Sequence, residues 1–356
     1  MTNKSVFILT LIGGIYSCSA DLAKFTAYVV DDMTGAPISN AEVTAGFNVD
    51  IGWKAWTESA PIVRDRRQTG QDGKCNLSGR TNTGRTWAAV EHPPSGYYSA
   101  VGQDSQLHFK RKDIWGVWQP DNLVVTIRLQ RVEHPIPLKA RHAKIYKGGG
   151  IESFDGTNGV LRYDLVIGDW LPPEGRGIMA DIVIRTHLEC GGELKITEHQ
   201  RAQLYDYTST IEFPGEGNGL VEKECSRGIY GLRIRMAPEE GYLKKKEIRY
   251  GMKRVVFGSN EYPKEYSECN DAMCYCFRVR SRFNEKGELV GAYYGKIYGD
   301  FSFFAGPTQF VGANFLYYLN PTPLDRNLEW DRKTNLFDEP NSKRRRRSSA
   351  MEIHLP

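Results

Sequence analysis

Past its first twenty positions the sequence has no run of about 20 apolar residues, so it holds no internal helical membrane span. It lacks amphipathic helices as well, because no segment repeats apolar residues at helical spacing. There is no G-x-S-x-G elbow and no glycine-rich loop ahead of a helix, which removes the usual serine-hydrolase and nucleotide-binding readings. None of the seven histidines stands in H-E-x-x-H or at zinc-finger spacing. His187 with Glu189 and Glu198 with His199 come nearest to a cluster, but adjacent strand residues point to opposite faces. Cys269, Cys274 and Cys276 form C-x4-C-x-C, which lacks the paired C-x2-C of a zinc knuckle and has no histidine nearby. No metal and no cofactor is expected.

Net charge is also scarce where a polyanion would need it. The chain carries +4, yet Lys4 and the tail cluster (Lys343, Arg344, Arg345, Arg346 and Arg347 against Glu352) more than account for that. The body between is close to neutral, so no nucleic-acid partner is expected. What the chain does have is 36 Gly, 17 Pro, 19 Tyr and 15 Phe in 356 residues, a composition for many short strands and turns. Its length allows two domains, each able to bury a core.

Residues 1–20 read as a signal peptide: Lys4, an apolar run over 6–16, then Ser17, Ser19 and Ala20. Two processing routes stay open, cleavage after Ala20 or lipidation of Cys18 in the lipobox-like Ile15-Tyr16-Ser17-Cys18. Tyr16 is bulkier than that position normally holds. The expected location is the periplasm, outer membrane or surface of a bacterium. Six cysteines remain besides Cys18, an even number that suits an oxidising compartment. Cys190 with Cys225, and Cys269 with Cys274 or Cys276, are the local disulfide candidates, while Cys75 has no near partner in sequence.

Between 22 and 138 the pattern is strand and turn. Phe25-Thr26-Ala27-Tyr28-Val29-Val30 is β-branched and aromatic, and 31–38 holds a Gly–Pro turn cluster. Asp72-Gly73 supplies a hairpin turn, and 86–90 and 123–129 read as strands. The run VVDDMTGAPISNAEVTA, then TGQDGKCNLSG, then a closing strand before a proline-rich exit, resembles the carboxypeptidase regulatory-like domain. That resemblance implies a prealbumin-like (transthyretin-like) sandwich and an accessory role on an exported protein. Residues 90–97 (VEHPPSGY) are similar to a segment of pilin-type adhesin domains in which a buried Glu promotes a Lys–Asn amide bond. Val29 stands where those domains hold the lysine, so no crosslink is implied here.

Two prolines, Pro135 and Pro137, and the glycines at 148–150 mark residues 139–150 as a linker. A second all-β domain is expected over 151–337, with roughly nine strands. These include 159–167, 178–185, 205–213, 230–236, and a hairpin around Asn284-Glu285-Lys286-Gly287. Its segments YDLVIGDWLPPEGRGIMADIVI and YYLNPTPLDRNLEWDRKTNLF resemble stretches of uncharacterised exported bacterial proteins, which implies architecture and no site. Residues 338–356 read as a disordered basic tail.

The fold expected is therefore all-β, two sandwiches after a leader. The function expected is a non-enzymatic structural or binding module of the cell envelope, its partner an envelope glycan or another surface protein. Trp53, Trp56, Trp115 and Trp118 lie in loops of the first domain and could stack on sugar faces, which makes a carbohydrate-binding protein the alternative. A hydrolase with an unmarked carboxylate pair is the third reading, since such pairs come from distant strands.

Overall fold

A computed structural model describes residues 22–48, 62–101, 107–148, 160–196, 200–224, 234–257, 260–270, 273–305 and 310–337. The signal peptide, Cys18, Trp53, Trp56 and the tail lie outside them. No helix occurs among the described residues, and the chain is an all-β sandwich protein. It divides into two compact units, Met1–Pro94 with Ser99–Leu129, and Ser95–Tyr98 with Gln130–Pro356.

The first unit contains β1 (Leu22–Asp31), β2 (Glu42–Asn48), β3 (Ile62–Gln68), β4 (Lys74–Arg80), β5 (Arg85–His92), β6 (Ala100–Val101), β7 (Leu107–His108), β8 (Arg111–Lys112), β9 (Trp118–Gln119) and β10 (Leu123–Leu129). One sheet runs β10-β1-β4 and the other β3-β2-β5-β6, with β7 also on β5 and a small β8–β9 ribbon. β1 pairs β10 in parallel and β4 in antiparallel register. Facing residues fill the space between the sheets: Phe25 of β1 meets Phe47 of β2 at 5.9 Å between ring centres. Phe47 can approach because Gly79 of β4 has no side chain; a Cβ there would sit 2.2 Å from its ring. The turn after β1 is fixed by Asp31, whose carboxylate accepts the N–H groups of Met33 and Thr34 and the Thr34 hydroxyl.

The second unit contains β11 (Ile136–Gly148), β12 (Val160–Asp164), β13 (Asp169–Trp170), β14 (Ile182–Lys195), β15 (Arg201–Glu212), β16 (Gly219–Glu224), β17 (Lys245–Phe257), β18 (Asn260–Ser267), β19 (Met273–Phe283), β20 (Leu289–Ala305), β21 (Phe310–Asn320) and β22 (Trp330–Asn335). Two six-stranded sheets, β16-β19-β20-β21-β11-β22 and β13-β12-β14-β15-β17-β18, enclose one aromatic core. Tyr163, Trp170, Phe301, Phe315 and Tyr317 meet edge-on or tilted within it. The first of these sheets is also covered on its other face. There Leu138, Ala140, Tyr318 and Trp330 form one buried cluster, and Ala237, Cys276, Ala292, Tyr294 and Leu328 another.

The linker expected over 139–150 is a correction. Residues 136–148 are β11, which pairs β21 from Lys139 to Gly148. Pro137 did not break it, because antiparallel pairing begins only after it and the parallel pairing to β22 is irregular between Ile136 and Leu138. The boundary falls between Leu129 and Gln130. Two strand readings shift as well. Ile234, Arg235 and Met236 lie outside the strands, and the strand expected from 178 begins only at Ile182.

Candidate functional site

The β8–β9 ribbon decides the tryptophan question in the first unit. Trp118, expected as a presented ring, is 8% exposed, and its indole N–H donates to the Thr81 carbonyl at 2.8 Å. Its ring lies against Gly84, where a Cβ would come within 2.9 Å, and Lys112 stands over its other face at 4.7 Å. It packs and cannot stack on a sugar. Trp115, three residues earlier, is 79% exposed beside Ile114 at 90%. The two sit at the apex of a tight turn that Asp113 holds together. Its Oδ1 accepts the N–H groups of Trp115 and Val117, both at 2.9 Å, and its Oδ2 accepts Gln119 Nε2 at 3.2 Å. Gly116 closes the turn at φ +76°, the left-handed region that favours glycine.

The second unit holds several ionisable groups wholly or partly inside. Regular alternation would put Arg280 on the face of β19 that carries Cys276. The β19–β20 pairing instead slips between Val279 and Arg282, and Arg280 takes φ +54°. This bulge turns the guanidinium toward the other sheet. Its Nη2 meets Asp164 Oδ1 at 2.6 Å and Asp181 Oδ2 at 2.9 Å, and its Nε meets Asp181 Oδ1 at 2.9 Å. Asp164 also accepts the N–H groups of Val166, Ile167, Ile178 and Met179. Burial pushes its carboxyl up, but those donors and Arg280 outweigh burial and hold it below the usual carboxylate range. The loop between Asp164 and Asp181 is thereby clasped at both ends. Lys139, Arg141 and Tyr317 donate to the carbonyls of Val166, Gly168 and Leu165 within it.

On the other face of the same sheet, Lys296 of β20 stands between Cys276 of β19 and Tyr318 of β21. It is 1% exposed. Its ammonium donates to the Ile234 carbonyl at 3.0 Å and lies over the rings of Tyr298 and Tyr318. Desolvation brings it down to about 7, against smaller opposing pulls from Cys276 and Glu329. Glu329, 4% exposed, accepts the Tyr98 hydroxyl at 2.6 Å and the N–H groups of Glu133 and His134 at 2.9 and 2.7 Å. These bonds outweigh burial and keep its carboxyl below the usual range.

The cysteine expectations are partly corrected. Cys269 and Cys276 form no disulfide. They cannot bridge each other, because Cys276 lies on the covered outer face while the Cys269 sulfur lies 3.7 Å from the Phe301 carbonyl, next to the inner core. Cys274 is disulfide-bonded, and Cys190 and Cys225 lie outside the described side chains. Cys75 is a buried free thiol that burial raises to about 11. His187 and Glu189 form an exposed contact at 3.6 Å on β14. Glu91 is exposed at the end of β5. Sequence reasoning missed Arg280, Lys296 and Glu329, and named no signal for them.

No family model and no curated protein matches the chain. Among solved structures it is similar to 3-chlorocatechol 1,2-dioxygenase from Rhodococcus opacus 1CP, at 14% identity and TM-score 0.22 over 32% of this chain. The chain spans 61% of that dioxygenase. It is also similar to a mutant of the shaft pilin spaA from Lactobacillus rhamnosus GG, at 11% identity and TM-score 0.19, over 56% of this chain and 89% of the pilin. Neither likeness bears on activity.

Proposed function

We propose that the chain is an exported, non-enzymatic structural or binding module of a bacterial cell envelope, its first unit a carboxypeptidase regulatory-like domain. The observation that carries this reading is where the buried charge goes. Asp164 and Asp181, the two carboxylates that converge, share Arg280 and loop N–H groups and are 0% and 3% exposed. Glu329 holds backbone and Tyr98, and Lys296 holds a carbonyl. These four ionisable groups of the described residues are bonded to the fold itself. The leader pattern and the disulfide at Cys274 support export.

Among the described residues the glycan reading keeps one of its tryptophans, since Trp118 is packed and Trp115 is exposed; Trp53 and Trp56 lie outside them. The test is expression of the whole chain with its leader in a bacterial host, followed by fractionation and intact-mass analysis. The expected product is extracytoplasmic, starting at Asp21 or at a lipidated Cys18. Recovery in the cytoplasm with residues 1–20 intact would overturn the reading.

A further inference from the structure

Among the described residues, the apex of the β8–β9 ribbon buries little of its Ile114 and Trp115 side chains. Everything below it is anchored: Trp118 is buried, Phe109 is 4% exposed with its N–H on the Gly84 carbonyl, and Lys110 N–H donates to Gln119. The apex itself puts two large apolar side chains, Ile114 and Trp115, side by side in water. Behind them Lys110, Arg111 and Lys112 are all exposed. The one carboxylate at the turn, Asp113, is directed into the turn's own N–H groups and Gln119.

We propose that the Ile114–Trp115 apex, with Lys110, Arg111 and Lys112 behind it, is a peripheral contact site for an anionic phospholipid surface. Indole rings settle at the headgroup level of a bilayer, with the apolar ring among acyl chains and the N–H among polar groups. An isoleucine beside the ring adds apolar area that water otherwise wets. Cations a few residues back then lie at the depth of lipid phosphates, where each is attracted by the negative surface. The turn is already ordered by Asp113 and Gly116, so docking freezes little backbone. The inference rests on the reading of the chain as an envelope module. If Cys18 is lipidated, the apex supplies the second attachment that stable anchoring requires.

The test is co-sedimentation of the purified full chain with sucrose-loaded vesicles of phosphatidylcholine alone, or with about one third phosphatidylglycerol. The parent is expected to sediment with the anionic vesicles, less so in high salt. I114A/W115A should lower its partitioning at least tenfold with an unchanged melting temperature. K110Q/R111Q should weaken it on anionic vesicles only. The basic tail is present in every variant, so its own attraction cancels from these ratios. Equal partitioning of parent and I114A/W115A would overturn the proposal. So would retention of the parent on a glycan array, lost in W115A, without any vesicle binding. Either failure leaves the fractionation result untouched, so the two readings fall separately.

Discussion

Half-buried Arg280 and buried Lys296 are cations of the second unit, on adjacent strands of one sheet, and the protein treats them in opposite ways. Arg280 is turned inward by a bulge onto two carboxylates, and their charge and hydrogen bonds outweigh the burial that would lower it and keep it above its ordinary range. Lys296 has a single carbonyl and two tyrosine rings, and burial drives it down to about 7. The difference follows from chemistry. A guanidinium stays charged and forks onto two acids, whereas a fully buried amine without an acid in hydrogen-bond reach can release its proton. The first is a fastener that must be charged; the second is a filler that is tolerated because it can become neutral.

The contrast is broken most severely by Asp164→Ala. It strips Arg280 of its closest acid and orphans four loop N–H groups, and should lower stability by about 3–5 kcal/mol in urea unfolding. Lys296→Met should do the reverse at pH 6, raising stability by about 1–2 kcal/mol. Because the folded value of Lys296 lies below its unfolded one, the penalty of burying it is full below about 7. It fades as pH climbs toward the ordinary lysine value, so parent and K296M curves should converge between about pH 7 and 10.5. Glu329→Gln should cost about 1–3 kcal/mol near neutrality. The Glu329 carboxyl is depressed, so its contribution is present above the ordinary glutamate range and lost as pH falls from there through the lower folded value. The variant should therefore show a shallower acid limb in pH-dependent melting. Trp115→Ala should move stability by no more than about 0.5 kcal/mol, as a presented side chain and not a packed one.

Features that depend on a few neighbouring residues were readable before any coordinates. Asn284-Glu285-Lys286-Gly287 is the turn expected, with the Asn284 side chain accepting from Lys286 and Glu288 and Gly287 at φ +77°. The same holds for β10. Three other features were not readable, for separate reasons. β17 and β18 are largely exposed on both faces, so their residues show no clean alternation. β11 begins among prolines whose missing N–H groups happen to fall where no partner strand needs them. Tyr294, Lys296 and Tyr298 alternate with Gly295 and Ile297, a pattern that suggests a solvated polar face. That face is instead roofed by residues around 234–237 and 328–330, distant in sequence. Arg280 was hidden for a related reason, since the bulge that redirects it breaks the period-2 rule used to assign faces. The tryptophans divided within one segment: Trp115 and Trp118 differ only in which side of a four-residue turn they occupy.

The parallel pairing of β1 with β10 has a mechanical meaning. Seven residue pairs, from Phe25 with Leu123 to Asp31 with Leu129, join the strand where the first unit starts to the strand where it stops. A pull applied at Leu22 and Leu129 acts along both strands in opposite directions. It must shear those rungs together and cannot peel them one at a time, which makes this unit suited to carrying load along its length.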